Sequence, residues 1–231
     1  MKNKKILCLI PARGGSKEIK NKNLLPLKSK PLIYWSIKLA KKIKFFDRVV
    51  VSTDSLKIKS VAEKFGAEVP FIRPKKISKS QTPMIDVINH CILFYKKKNI
   101  KFDAITLFQP TSPFRKKKTV ENSIKKFFKN KLDTLFSVES IKHNHNPYYL
   151  FSDKKELKKR IKKFRKKPIR QKEKKYYGMD GGAIFMFKSQ YKLKRIFGNK
   201  FDFVKVSKFE AVDIDTKEDL NLAKSIKFKI S

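Results

Sequence analysis

The chain is poor in cysteine and in long apolar runs, and both features narrow the class of protein. Its 231 residues include two cysteines, Cys8 and Cys91, each among apolar neighbours. Two isolated thiols cannot build a disulfide framework and are typical of a reducing compartment. No apolar run approaches the roughly 18 residues that a membrane-spanning helix needs, and the run after Lys2–Lys5 is too short for a signal peptide. The sequence therefore predicts a cytoplasmic protein without membrane insertion.

Acidic residues are also scarce. The chain has 20 Asp and Glu against 59 Lys and Arg, which gives a formal net charge of +39. Such a surface attracts phosphate, whatever molecule carries it. The lysines are spread through nearly every segment, which is more typical of solvated helix faces than of a nucleic-acid-binding surface. With 40% hydrophobic residues and 20 Phe, the chain is not a disordered polycation and is predicted to fold.

Strand-like and helix-like segments alternate along the chain without an internal repeat. The apolar run 6–10 predicts a first strand, and Leu32, Trp35 and Leu39 share one face of the helix that follows. The same rhythm predicts strands near 47–54, 68–71, 102–108, 132–140, 181–187 and 209–213, and helices near 55–66, 82–95 with Thr82 as cap, 119–130 and from Thr216. This alternation predicts a doubly wound α/β sheet with crossover helices, as a single domain over 1–231.

A strongly basic segment interrupts the pattern at about residues 140–180. Between Lys154 and Lys175, fourteen of twenty-two residues are basic, and apolar residues are too sparse for an independent core. We interpret this segment as an inserted arm or hairpin.

The loop after the first strand reads PARGGSKEIKNKN, and it contains neither GxxxxGK[ST] nor GxGxxG. Gly14 and Gly15 would still let the backbone approach a phosphate and turn its N–H groups inward. Arg13, Lys17 and Lys22 supply positive charge beside them. A triphosphate is therefore a fitting ligand, and the alternative is an ordinary glycine turn with solvated lysines.

Two carboxylates near the end of the chain are separated by one residue. On a regular strand, Asp213 and Asp215 would face the same side and Ile214 the other, which suits shared coordination of Mg²⁺. The alternative is that Asp215 only helps to cap the last helix beside Thr216.

The glycine loop resembles the signature of the CMP-sialic acid synthetases, or acylneuraminate cytidylyltransferases, whose usual form is IPARGGSKGIPGKN. The residues from Pro11 to Lys17 and the pair Lys22-Asn23 match it, whereas Glu18, Lys20 and Asn21 stand where the family has Gly, Pro and Gly. The segments VVVSTDS, FIRP, LFQPTSPFR and VDIDTKEDL also resemble family motifs, in the same order and over almost the full chain. The chain is identified as a member of that family.

The resemblance implies a nucleotidyltransferase fold with a dimerising arm, and a homodimer. It implies Mg²⁺-dependent transfer of CMP from CTP to the anomeric hydroxyl of a sialic-acid-like nine-carbon ulosonic acid, with release of pyrophosphate, as in surface polysaccharide biosynthesis. Another sugar acid, another nucleotide, or a non-catalytic nucleic-acid-binding protein on the same fold are the alternatives.

The resemblance also implies which residues form the site. Gln109 would contact the acceptor, Arg115 would bind its carboxylate, and a dimer partner would place Arg170 and Gln171 over the sugar. The full implied set is Arg13, Lys22, Asp213 and Asp215 as catalytic residues, the two aspartates as metal ligands, Ala12, Arg13, Gly14, Ser16, Lys17, Lys22, Asn23, Arg73 and Thr82 for the nucleotide, and Gln109, Arg115, Arg170 and Gln171 for the sugar.

Overall fold

A seven-stranded mixed sheet forms the centre of the computed structural model, which describes residues 3–16, 18–141, 145, 150, 152–163, 175–179, 182–189 and 193–227. The strands are β1 (Ile6–Pro11), β2 (Pro26–Leu27), β3 (Lys30–Pro31), β4 (Arg48–Ser52), β5 (Ala104–Leu107), β6 (Thr134–Ser140), β7 (Tyr177–Met179), β8 (Phe185–Lys188) and β9 (Phe201–Lys205). The helices are α1 (Leu32–Lys42), α2 (Leu56–Lys64), α3 (Met84–Lys97), α4 (Lys117–Lys129), α5 (Lys154–Lys163) and α6 (Lys217–Ser225).

The sheet is parallel at one side and mixed at the other. Strand β1 pairs in parallel with β4 and with β5. Strand β8 is antiparallel to both β5 and β6, and it shares one edge of β6 with β7. Strand β9 runs parallel to β6 along the opposite edge, and β2 and β3 form a separate small hairpin.

Helices cover both faces of the sheet. Alternation along β1 sends Ile6 and Ile10 to one face, where they pack with residues of α1, α2 and α4. Leu7 and Leu9 point to the other face, where α3 covers them. All four side chains are almost fully buried. This arrangement confirms the predicted doubly wound α/β fold.

Two predicted boundaries are wrong. The strand expected near 68–71 is reduced to isolated bridges, one between Val50 and Glu68 and one between Thr53 and Ile72. The cap of α3 is Pro83 rather than Thr82, and no side chain bonds to the first turn of that helix.

The strand predicted near 209–213 is replaced by turns and irregular chain, and β9 occupies the sheet position instead. Sequence reasoning missed β9 because its alternation is inverted: Phe201 and Phe203 are 60% and 37% exposed, while Asp202 and Val204 are the less exposed residues. A strand with its aromatic side chains outward does not show the usual apolar face.

The end of the chain is anchored by a capped helix and a buried isoleucine. The Thr216 hydroxyl accepts from the Asp219 N–H at 3.2 Å, and the Asp219 carboxylate accepts from the Thr216 N–H at 2.8 Å, so the predicted cap of α6 is confirmed. Ile214 is fully buried in a third apolar cluster with Leu27, Trp35 and Leu220. This cluster joins α6 to α1 and to the β2–β3 hairpin.

Part of the basic segment is helical, because α5 begins at Lys154 and ends at Lys163. Residues 164–174 lie outside the described residues, so the arm stays a prediction, as does the single domain over 1–231. Among the helices that the structure describes, none is both long and apolar enough to cross a membrane.

The glycine loop after β1 packs against the start of α2. The Gly14 N–H donates to Asp54 Oδ1 at 2.8 Å, and a Cβ at Gly14 would lie 3.0 Å from the Cβ of Ser55, the N-cap residue of α2. A Cβ at Gly15 would meet no atom within 4 Å. The two adjacent glycines therefore differ, since only Gly14 is required for close packing.

We expect Gly14→Ala to lower the free energy of unfolding by about 1–3 kcal/mol, because the new methyl group would push two elements apart. Gly15→Ala is the matched control and is expected to change it by less than about 1 kcal/mol. Urea denaturation of both variants measures the difference. Equal effects of the two substitutions would contradict the packing role of Gly14.

Candidate active site

A cleft of about 580 Å³ opens beyond the carboxyl ends of β1 and β5. The predicted site residues that line it are Arg13, Ser16, Lys22, Asn23, Arg73, Thr82, Gln109, Asp213 and Asp215. Three others, Ala12, Gly14 and Arg115, are not part of its lining. Lys17, Arg170 and Gln171 lie outside the described residues. The structure thus brings nine residues from four separated segments, 13–23, 73–82, 109 and 213–215, to one place.

Lys22 contacts the aspartate loop directly. Its ammonium donates to Asp215 Oδ1 at 2.7 Å, to the Ile214 carbonyl at 3.1 Å and to the Asp215 carbonyl at 3.3 Å. The Lys22 side chain is 13% exposed, whereas that of Asp215 is 65% exposed. The ammonium therefore rests on the loop between the two carboxylates and is within reach of a ligand in the cleft.

Asp213 lies deeper than Asp215. Ser112 Oγ is 3.5 Å from Asp213 Oδ1, and the Thr111 carbonyl accepts from the Ile214 N–H at 2.8 Å. Burial raises the pKa of the Asp213 carboxyl, the negative charge of Asp215 adds to this, and the Lys22 and Arg115 charges oppose it. A cation placed beside Asp213 would favour its ionised form.

The aspartate pair does not lie on a regular strand, contrary to the prediction. Ile214 nevertheless points into the core and its two neighbours face outward, so the expected alternation is retained in an irregular loop. Asp215 contributes to the helix cap through its backbone, since its N–H donates to the Asp219 carboxylate at 3.1 Å, but its side chain bonds Lys22. The alternative that Asp215 only caps the helix therefore does not account for its carboxylate.

The two carboxylates of this loop fit Mg²⁺ only if other ligands complete its coordination. Within the described residues, no group of three or more His, Cys, Asp or Glu side chains could enclose a metal ion. Two carboxylates are sufficient for Mg²⁺ only when substrate phosphates and water complete the octahedron, which is the usual arrangement for this ion at nucleotide sites. Asp213 and Asp215 fit a metal that is bound together with a triphosphate.

The opposite wall of the cleft is cationic and held by hydrogen bonds. Arg13 donates to the Lys79 carbonyl at 3.2 Å, and the buried Arg73 donates through Nε to Ser78 Oγ at 3.2 Å. Burial lowers the pKa of Arg73, although the nearby Asp54 carboxylate opposes the shift. Together with Lys22, these side chains present three positive charges to the cleft.

Several residues that were predicted to bind the nucleotide use their hydrogen-bonding groups to hold the glycine loop in shape. Asn23 Nδ2 donates to the Arg13 carbonyl at 3.0 Å, and the Ala12 N–H donates to the Ser52 carbonyl at 2.9 Å. The Gly14 N–H, which was expected to face a phosphate, is bonded to Asp54. The loop is thus fixed by the neighbouring strand β4.

Arg115 differs most from its expected role. Its side chain is 4% exposed, so it is not a solvated arginine at the start of α4. Its guanidinium donates to backbone carbonyls and to Ser36 Oγ, and it stacks on Phe108 with 4.6 Å between Cζ and the ring centroid. Because these bonds use its donors, a direct contact with a substrate carboxylate would require breaking them.

Sequence reasoning missed Asp54, Glu18 and Lys79 as parts of the site. Asp54 follows the strand next to β1, so strand adjacency could have indicated its contact with the glycine loop. Glu18 and Lys79 line the cleft. Lys79 has no distinguishing signal in a chain with lysine in nearly every segment.

Residues 7–228 match a family model described as cytidylyltransferase. A pseudaminic acid cytidylyltransferase of Campylobacter jejuni is 32% identical over an alignment that covers 100% of this chain and 98% of that protein. A CMP-N,N'-diacetyllegionaminic acid synthase of the same species is 31% identical, with 98% and 95% covered. An N-acylneuraminate cytidylyltransferase of Escherichia coli O18:K1:H7 is 30% identical, with 97% and 52% covered.

A solved structure of CMP:2-keto-3-deoxy-manno-octonic acid synthetase complexed with CTP superposes with a TM-score of 0.69, and 96% of this chain and 97% of that chain are covered. At 16% identity this likeness shows a shared fold. The family match and the full-length relatives confirm the resemblance seen in the sequence, and the chain belongs to the cytidylyltransferase family of nucleotidyltransferase enzymes.

Proposed function

We propose that the protein transfers CMP from CTP to the anomeric hydroxyl of a nine-carbon ulosonic acid of the pseudaminic, legionaminic or neuraminic type. The observation that carries this proposal is a cleft in which Arg13, Lys22 and Arg73 face Asp213 and Asp215. Three cations suit a triphosphate, and the pair of carboxylates suits its metal ion. The names of the full-length relatives support the acceptor class.

The proposed reaction is an in-line displacement at phosphorus. The anomeric oxygen attacks the α-phosphate of CTP and loses its proton to solvent, while the bond to the β-phosphate breaks and pyrophosphate leaves. Such a transfer needs positioning and charge stabilisation more than a covalent nucleophile. Arg13, Lys22 and Arg73 would neutralise the triphosphate and the charge that develops on the leaving group.

Lys22 would exchange partners when the nucleotide binds. In the structure its ammonium is bonded to Asp215. A triphosphate carries more negative charge than one exposed carboxylate, so we propose that it draws the ammonium toward the α-phosphate. Asp215 would then be available, with Asp213, to hold Mg²⁺. The ion would supply electrostatic stabilisation of the phosphate oxygens.

Two further expectations from the sequence analysis are also proposals. The first is a homodimer formed through the basic segment at about 140–180. The second is a cytoplasmic location, which agrees with Cys8 and Cys91 being buried free thiols within the described residues.

Pyrophosphate release tests the reaction. We expect release only when CTP, Mg²⁺ and one of the three ulosonic acids are present together, with UTP, ATP and GTP giving less than about a tenth of the rate. A coupled assay for pyrophosphate over this panel measures it. Folded protein that is silent with all three acids, combined with salt-sensitive binding of DNA or RNA, would favour the nucleic-acid-binding alternative.

Asp213→Asn tests the metal assignment. The amide keeps the shape of the carboxyl but not its charge, so we expect turnover to fall about a hundredfold or more. Burial already disfavours the ionised form of Asp213, and the melting temperature should therefore not fall.

The matched control for Asp213→Asn is Glu218→Ala, which removes an exposed carboxylate from the first turn of α6 outside the cleft lining. This variant should keep turnover within about twofold of the wild type. Near-normal turnover in Asp213→Asn at limiting Mg²⁺ would show that Asp213 is not a metal ligand.

A further inference from the structure

The guanidinium of Arg115 joins three parts of the fold that are distant in sequence. It donates to the carbonyls of Gln109 and Ser112 in the loop after β5, and to the carbonyls of Gly182 and Ala183 in the turn before β8. It also donates to Ser36 Oγ on α1 at 3.1 Å. All five N–H groups of an arginine are satisfied by this set.

The turn at Gly182 is in direct contact with the Gln109 side chain. Gly182 has a φ of +106°, and a Cβ there would lie 2.5 Å from Gln109 Nε2 and 2.8 Å from Gln109 Cδ. Only glycine allows this approach without displacing the glutamine. Arg115 therefore holds Gln109 by its backbone carbonyl, and the Gly182 turn packs against the Gln109 side chain.

The same loop is continuous with the aspartate loop. The Ser112 N–H donates to the Gln109 carbonyl at 3.2 Å, and the Ile214 N–H donates to the Thr111 carbonyl at 2.8 Å. Gln109 and Thr111 both line the cleft, whereas Arg115 does not. Arg115 can thus act on a ligand through the loop that it holds, and its positive charge, which a lysine would keep, also acts on Asp213.

We propose that Arg115 is a positioning residue for the acceptor, which fixes the Gln109 loop against the Gly182–Ala183 turn and so sets where the sugar acid binds. This inference rests on the proposed function and on the contact of Gln109 with the acceptor that the family resemblance implies. It replaces direct carboxylate recognition by Arg115 with an indirect role. Arg13, Lys22 and Arg73 hold the nucleotide on other segments, so the two substrates should respond differently to a change at Arg115.

The test compares Michaelis constants for the two substrates. Arg115→Lys keeps the charge but has three donors in place of five and cannot bridge both loops. We expect its KM for the sugar acid to rise about tenfold to a hundredfold, while its KM for CTP changes by less than about threefold. Gly182→Ala displaces the Gln109 side chain and strains the turn whose carbonyls accept from Arg115, and it should give the same split between the two Michaelis constants.

A double-mutant cycle tests whether Arg115 acts through Gln109. In the Gln109→Ala background, Arg115→Lys should raise the KM for the sugar acid by less than about twofold. Ile92 is a buried residue of α3, in the cluster on the other face of the sheet. Ile92→Ala is the control for lost stability alone and should leave both Michaelis constants near the wild-type values. Equal rises in both constants for Arg115→Lys, or an undiminished rise in the Gln109→Ala background, would overturn the proposal.

Amide hydrogen exchange separates this inference from the proposed reaction. Arg115→Lys should speed exchange at the Ser112 and Ile214 amides, and leave the Arg73 amide, bonded to the Thr53 carbonyl at 2.7 Å, unchanged. If the wild type turns over none of the acids, the proposed function fails. Amide exchange then still tests whether Arg115 fixes the Gln109 loop. Unchanged exchange at Ser112 would refute it.

Discussion

Parallel pairing of β1 between β4 and β5 is the constraint on which the site depends. Because the three strands run in the same direction, their carboxyl ends meet at one edge of the sheet. The glycine loop, Asp54 and the Gln109 loop leave the sheet at that edge. Residues that are far apart in the sequence therefore become neighbours because of the strand pairing alone.

Charges in the cleft are held by the protein before any ligand is bound. Lys22 is bonded to Asp215, Arg13 to the Lys79 carbonyl and Arg73 to Ser78. These bonds restrict side chains that would otherwise lose conformational freedom on binding a triphosphate. They are also exchangeable, since each involves a group that a phosphate oxygen or a metal ion can replace. The hydrogen bonds that order these side chains are thus compatible with binding of a triphosphate.

The sequence was informative where a local pattern determines structure. Apolar periodicity located the first strand and most helices, the Thr216 cap is a local motif, and the family motifs indicated nine of the residues that line the cleft. It failed where the deciding partners are far apart in sequence. The role of Arg115 depends on the carbonyls of residues 109, 112, 182 and 183. In the sequence alone, a charged side chain is expected to contact solvent or a ligand. Strand β9 was missed because its phenylalanines face outward.

The burial of Ile214 gives the last helix a part in the chemistry. The two flanking carboxylates are placed by an apolar side chain that is shared with Trp35 of α1 and Leu220 of α6. Helix α6 therefore holds in place the loop that carries Asp213 and Asp215, although it lies outside the lining of the cleft. Truncating the chain before α6 would therefore disturb the aspartate loop although every residue that lines the cleft is still present. Random mutagenesis should likewise find activity-lowering substitutions among the apolar residues of this cluster.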